Sequence, residues 1–207
     1  PSYFLLFALL LSGCGETPWN DPYPVSERGQ NIRYSAFSER PKHLDPARSY
    51  SSNEVEFIGQ IYEPPLQYHY LKRPYELIPA TATEVPKPRY LDAAGKPLPV
   101  DAPVERIAHS VYEIRIRPGI RYQPHPALAR DGQGRFVYHD LKSQQLARIE
   151  TLADFEQTGT RELTADDYVY QIKRLAHPKL NSPIFGLMGE YIVGLKEYGA
   201  QLAAVQK

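Results

Sequence analysis

Proline stands at 20 of the 207 positions, close to twice its ordinary share of about 5%, and it limits every element this chain can form. Each proline lacks an N–H and disfavours helix in the residue before it, so prolines end helices and interrupt strand ladders. Sixteen tyrosines accompany them. Together they predict short strands joined by stiff irregular segments, with many half-buried aromatic surfaces.

The length allows one or two domains with a buried core. Hydrophobic residues make up 42% and charged residues 23%, which is ordinary for a folded protein and excludes wholesale disorder. Lys and Arg number 24, as do Asp and Glu. A nucleic-acid binder carries a basic excess, so no nucleic-acid partner is expected. The single cysteine, Cys14, excludes an internal disulfide and a cysteine-rich metal cluster.

The position of that cysteine suggests its use. Residues 3–11 form an uninterrupted apolar run (YFLLFALLL), followed by Ser12, Gly13 and Cys14. A run of nine residues is too short to cross a bilayer as a helix, which takes about 20, but it suits the apolar region of a secretory signal. Pro1 stands where an initiator Met and a basic segment would be, so the chain is expected to be truncated at its start. Residues 11–14 (LSGC) resemble a bacterial lipobox. There the thiol is alkylated by diacylglycerol, the peptide bond before it is cut, and the new amine is acylated. Small side chains at Ser12 and Gly13 admit the peptidase, and only a thiol yields the thioether. On this reading residues 1–13 are a partial signal peptide and Cys14 is the lipidation site. Acyl chains worth about 0.8 kcal/mol per buried methylene would then hold the mature protein on a membrane surface. The plainer alternative is an ordinary cleaved signal, or a buried strand, with an incidental cysteine.

Residues 14–30 are polar, proline-punctuated and aperiodic, the pattern of a tether. Residues 31–37 alternate, with Ile32, Tyr34 and Ala36 on one face, which predicts a strand. Val55, Phe57, Ile58, Ile61 and Tyr62 predict a helix over 53–62, stopped by Glu63-Pro64-Pro65. Residues 66–103 offer only short strands. Tyr112, Ile114 and Ile116 alternate with Glu113, Arg115 and Arg117, which predicts a strand over 111–117, a turn at Pro118-Gly119 and a return strand over 120–122. Residues 123–162 are mixed, with a turn at Asp131-Gly132 and a short helix near 143–155. Thr164 and Asp167 form a capping box for a helix reaching about Ala176, with Tyr168, Val169, Ile172, Leu175 and Ala176 as its buried stripe. Ser182-Pro183 predicts the cap of the next helix, and residues 192–206 a last one.

No catalytic or metal constellation emerges. Asp166 and Asp167 are sequence neighbours about 100° apart on a helix, and first-turn carboxylates favour the positive end of its dipole. His125, His139 and Asp140 lie in the mixed stretch without the i, i+4 spacing of a zinc site, and His43, His69, His109 and His177 are equally isolated. No nucleophile elbow, Walker A loop or dinucleotide fingerprint is present. No enzyme activity, cofactor or metal is expected.

Several spaced segments, read together, resemble the family 5 extracellular solute-binding proteins, the oligopeptide- and dipeptide-binding receptors of bacterial ABC importers. Residues 42–46 (KHLDP) resemble the family's early "LDP" element, and 61–66 (IYEPPL) its "hyExL" segment. Residues 77–80 (LIPA) resemble "lvPaLA", and 112–122 (YEIRIRPGIRY) resemble "ytFhLRkgvkF". The nearest match is 163–175, LTADDYVY through Arg174-Leu175, to "lTAdDVvyswqRl", with Asn181-Ser182-Pro183 following. Where the family has a short "dG.p" connection, residues 123–162 form an insertion.

The resemblance implies an α/β, periplasmic-binding-protein-like type II fold, of which this chain holds an α+β portion. Residues 31–57 would begin the first lobe, and 58–207 would be an extra β-rich domain, incomplete at its end. It further implies ligand held between two lobes, a permease partner in the inner membrane, and a lipid-anchored place on the periplasmic side of the envelope. The segment after "LDP" touches ligand in peptide-binding relatives and maps to Tyr50, Ser51 and Ser52; the residue after the "SP" pair maps to Ile184. The resemblance implies a peptide or similar small polar molecule as solute, and it does not single one out, because relatives handle peptides, murein peptides, nickel chelates and sugars. Two readings from other classes stand beside it: a structural or assembly envelope lipoprotein, and a hydrolase with its catalytic residues beyond Lys207.

Overall fold

Glu54 follows Ser51 by three residues, the spacing at which a carboxylate reaches back to the N–H groups that a helix start leaves unpaired. The first helix, α1 (Ser52–Ile61), begins there with a capping box, and Tyr62 ends it before the prolines. A computed structural model describes residues 23–205 and divides into two compact units, 1–39 and 40–207. Cys14, the apolar run and residues 14–22 of the expected tether lie outside the described residues.

In the first unit the expected strand over 31–37 is absent. A lone strand has no ladder to join, and Ile32, Tyr34 and Phe37 stand 41%, 42% and 53% exposed. What forms instead is local. A 3-10 turn spans Val25–Glu27, the Tyr34 hydroxyl donates to Glu27, and the Tyr34 ring stacks on Tyr23 with centroids 3.5 Å apart.

The second unit is mixed α/β with small sheets. Strand β1 (Leu66–Tyr68) pairs antiparallel with β2 (Leu77–Pro79), Leu66 opposite Pro79. Strand β3 (Arg89–Leu91) lies between β4 (Pro97–Leu98) and β5 (His109–Val111), both antiparallel to it. The strand expected over 111–117 is therefore broken. Its ladder with β3 ends at Val111, and only an isolated bridge from Ile116 to Ala82 resumes pairing. Tyr112 and Ile114, expected to share one face of that strand, are 55% and 43% exposed.

Residues 120–122 return elsewhere than expected. They pair with the far end of the 123–162 stretch: Tyr122 N–H donates to Arg161 C=O at 3.0 Å and Leu163 N–H to Ile120 C=O at 2.8 Å. His125 and Gly159 exchange N–H···O=C bonds of 2.9 and 3.1 Å. The forty-residue excursion thus leaves and re-enters through one ladder. Inside it the expected helix near 143–155 shrinks to α2 (Ser143–Leu146) and a 3-10 turn over Leu152–Asp154, and the turn at Asp131 is held by Asp131 Oδ1 accepting from Gln133 and Arg135 N–H.

Helix α3 (Ala165–Leu175) forms as its box predicts, with Asp167 accepting the Thr164 N–H at 2.9 Å. Its stripe is only half covered. Leu175 and Ala176 are buried, whereas Val169 and Ile172 remain 46% and 38% exposed. The next helix, α4 (Phe185–Tyr191), starts later than Ser182-Pro183 implied. Ile184 is its N-cap residue, and the Ser182 hydroxyl is buried without a hydrogen bond. Helix α5 (Leu195–Val205) completes the unit and packs on α4.

Among the described residues the buried apolar side chains are small or few: Ala47, Ala82, Ala129, Leu175, Ala176 and Leu195. The largest fully buried side chain is Thr81. Cohesion therefore rests heavily on directed polar contacts.

The excursion's closure depends on Gly159. A Cβ there would strike the Leu128 carbonyl oxygen and lie 2.5 Å from its carbon and 2.9 Å from Ala129 Cα, all of it backbone. At Gly199 in α5 a Cβ meets chiefly the end of the Phe185 ring, 2.6 Å away, which can swing aside. Gly159→Ala is expected to cost about 1–3 kcal/mol by overpacking. Gly199→Ala should stay within about 1 kcal/mol, because alanine's helix propensity offsets the shift of the ring. Urea denaturation of both variants checks the contrast.

Candidate functional site

Residues 42–51 form a loop folded around one carboxylate. Glu54 projects from the first turn of α1 and is 3% exposed. Its Oε1 accepts the N–H groups of Lys42 at 3.0 Å and His43 at 2.8 Å. Its Oε2 accepts the Ser49 hydroxyl at 2.8 Å and the N–H groups of Tyr50 and Ser51 at 3.2 and 3.4 Å. The Ser49 hydroxyl, with the His43 and Tyr50 amides and the Ser51 hydroxyl, holds the Glu54 carboxyl far below the usual carboxylate range in spite of its burial.

A second carboxylate fixes the other side of the loop. Asp45 Oδ1 accepts the Ala47 N–H at 3.0 Å. Both Asp45 oxygens accept from Arg174 on α3, 129 residues away, at 2.8 and 2.5 Å. Gln171 Oε1 accepts from the same guanidinium at 3.2 Å. The pair is 26% and 30% exposed on its two sides, and a bidentate charge-assisted contact of this kind is among the stronger polar interactions. The Arg174 hydrogen bond lowers the Asp45 pKa and the Asp45 carboxylate raises that of Arg174.

The same helix is fastened at its other end. The Tyr168 hydroxyl donates to Glu63 C=O at 2.9 Å and shares a 2.6 Å hydrogen bond with Thr81 Oγ1. Thr81 C=O accepts the Arg117 N–H at 2.8 Å, and the Arg117 guanidinium donates to Ala80 C=O at 2.6 Å. Asp167, besides its place in the cap, pairs with Arg161, whose guanidinium lies 4.6 Å over the Tyr122 ring. Burial, then the Asp167 charge, pushes the Tyr122 phenol up.

The expected ligand residues take different places on this frame. Tyr50 is 77% exposed at the loop's outer edge, and Ser51 and Ser52 are exposed beside it at the start of α1. Ser51 is nonetheless spent within the protein: its N–H goes to Glu54, and its C=O accepts the N–H groups of Glu54 and Val55, both at 3.1 Å. Ile184 sits half-buried on another element, as the N-cap residue of α4, with its C=O accepting the Met188 N–H.

The histidines of the excursion are engaged locally. His125 Nδ1 accepts the Ala127 N–H at 3.1 Å, and His139 Nε2 bonds the Ala127 C=O at 3.0 Å while its ring stacks on Phe136. Among the described residues no group of three His, Cys, Asp or Glu side chains is arranged to hold a metal. No helix among them is long and apolar enough to cross a membrane. No protein-family model, curated protein or solved structure matches this chain.

Asp45 carries a lowered pKa in the folded state and returns to about 4 on unfolding. Its contribution to stability is therefore present above about pH 4 and is lost as pH falls through the lower folded value. Asp45→Asn should cost about 1.5–3 kcal/mol near neutral pH, the range for a hydrogen bond to a charged group. The gap from wild type should close in acid, where both proteins hold an uncharged side chain against Arg174. Urea unfolding in neutral and acidic buffer measures both limbs.

Proposed function

We propose that this chain is the leading part of a lipid-anchored solute receptor of an ABC importer, with a two-lobed, periplasmic-binding-protein-like fold when whole. The observation that supports the reading is that the family-like segments are tied to one another, two of them directly to one helix and the others through Thr81. Asp45 of the "LDP" segment bonds Arg174, and Glu63 of the "hyExL" segment bonds Tyr168. Thr81, next to residues 77–80, bonds Tyr168 as well, and Arg117 of the 112–122 segment bonds Thr81 and Ala80. Tyr168 and Arg174 belong to the segment with the nearest family match. Five stretches chosen for their sequence alone are thus joined through residues inside or beside them.

Ligand would lie between the lobes, which close by hinge motion. Extended peptide would be held largely through its main chain, so many side chains would be accepted. Cys14 would carry the anchor, and the closed receptor would dock on a permease in the inner membrane.

The full-length protein is expected to gain melting temperature in the presence of di- to tetrapeptide pools, because ligand binds only the folded state. A protein of residues 14–207 alone should show no shift, since half a cleft supplies half the bonds against an association cost of several kcal/mol. A full-length protein indifferent to every peptide and polar solute tried would refute the receptor reading and leave the structural-lipoprotein alternative.

A further inference from the structure

We infer that the turn of the β1–β2 hairpin, residues 69–76, is a membrane contact: a preformed tip that seats Tyr70 and Leu71 in the headgroup boundary of an anionic lipid surface. No solute, second lobe or permease enters this inference, so it stands apart from the receptor reading.

The turn is built by its own side chains. His69 N–H donates to Glu76 C=O at 2.8 Å and closes it. The His69 ring enters the turn, its Nδ1 accepting the N–H groups of Leu71 and Lys72 at 3.2 and 3.3 Å. Lys72 Nζ returns to Glu76 at 2.9 Å. The Arg73 guanidinium donates to Lys72 C=O at 2.8 Å and lies 4.4 Å from the centre of the Tyr75 ring. Both cations are thus folded back on the hairpin, and Tyr70 and Leu71 are left standing clear, 88% and 76% exposed. Behind them Tyr68 lies opposite Leu77 in the ladder, and Tyr75, two residues from Leu77, shares their face. The Tyr68 and Tyr75 rings meet with centroids 5.5 Å apart, and both are exposed.

The groups are layered as a bilayer surface layers them. An aliphatic chain and a phenol stand foremost, a pair of tyrosines forms a belt behind, and two long cations lie at the level of that belt. In a membrane interface the apolar groups enter the acyl boundary, tyrosine rings sit among headgroups, and Lys or Arg keeps its charge at the phosphates. Charge points the same way. Glu76 offsets Lys72, whereas no carboxylate pairs with Arg73 among the described residues, so the tip is cationic and matches an anionic surface. A turn projecting from a two-stranded hairpin offers no hollow for a solute, and a protein partner would need a pocket cut to it; a lipid surface needs only this order of groups. If Cys14 carries an anchor, the tip is also held at high local concentration beside its target.

The test places a fluorophore at the tip of the full-length protein. Trp19 is the one native tryptophan, so Tyr70→Trp is made on a Trp19→Phe background and compared with Val100→Trp, a site 83% exposed after β4. Vesicles of phosphatidylglycerol and phosphatidylethanolamine should shift the Tyr70→Trp emission to the blue, and lipid brominated in its acyl chains should quench it. Val100→Trp should show neither effect. Adding Leu71→Ser should lower the ratio of seated to free tip about tenfold, the loss expected when one leucine returns to water. Adding Arg73→Gln should lower it about fivefold on these vesicles and leave it unchanged on phosphatidylcholine. Neither change should move the melting temperature. A Tyr70→Trp emission that brominated lipid leaves unquenched would overturn the inference, whether the protein stays in solution or rests on the vesicle by another part. A blue shift without quenching would mean that protein covers the tip and would overturn it too, as would full quenching that survives Leu71→Ser.

Discussion

The contact between Asp45 and Arg174 is the constraint on which the second unit depends. It joins points 129 residues apart, and nothing local would bring them together. Its geometry is two-pronged, its exposure is below a third on each side, and Gln171 and Ala47 occupy further positions around it. Such a pair resists screening better than a surface ion pair and fixes direction as well as distance. Through it the loop that carries Tyr50 is tied to α3. Through Tyr168 and Asp167 the same helix also holds the strands near Thr81 and the returning end of the excursion.

This reliance on directed bonds follows from what the unit lacks. Its fully buried side chains are mostly alanines, and Thr81 is the largest of them. Small side chains bury little apolar area, so the hydrophobic term is modest. Hydrogen bonds contribute less apiece but leave a definite geometry, and an unpaired partner in such a network is costly. The abundance of proline fits the same pattern, because strands of two or three residues cannot build a broad apolar face. The tyrosines serve as rim groups with one wet end. Tyr168 uses its hydroxyl inward, whereas Tyr50, Tyr70 and Tyr191 stand more than three-quarters exposed.

The parts legible in the sequence were those with local causes. The box at Thr164 and Asp167 and the breaker at Glu63-Pro64-Pro65 set the ends of α3 and α1 to within a residue or two, because capping and proline act on neighbours. Strands were read less well. Alternation over 31–37 and 111–117 describes which face could be buried, but a ladder needs a partner, and the partners of 120–122 proved to be residues 161–163. Ser182-Pro183 had the chemistry of a cap, yet the chain turned once more before α4 began at Phe185. Within the candidate site, Tyr50, Ser51 and Ser52 were named through resemblance. Glu54 was not, although Ser51 and Glu54 have the spacing of a capping box and could have been found by it. Arg174 stood in the quoted segment without a role, since no pattern in one sequence reveals a contact at that separation.

The measurement that tests this account most directly is a double-mutant cycle on Asp45→Asn and Arg174→Met, followed by urea unfolding of the second unit. If the pair ties the loop to α3, the two losses should overlap. Their coupling should then lie at about 1–3 kcal/mol, and amide exchange in the 42–51 loop should speed up equally in each single variant and in the double. Losses that simply add, with the loop's amides still protected when Arg174 is gone, would mean that the loop stands on Glu54 alone and that α3 does not hold it.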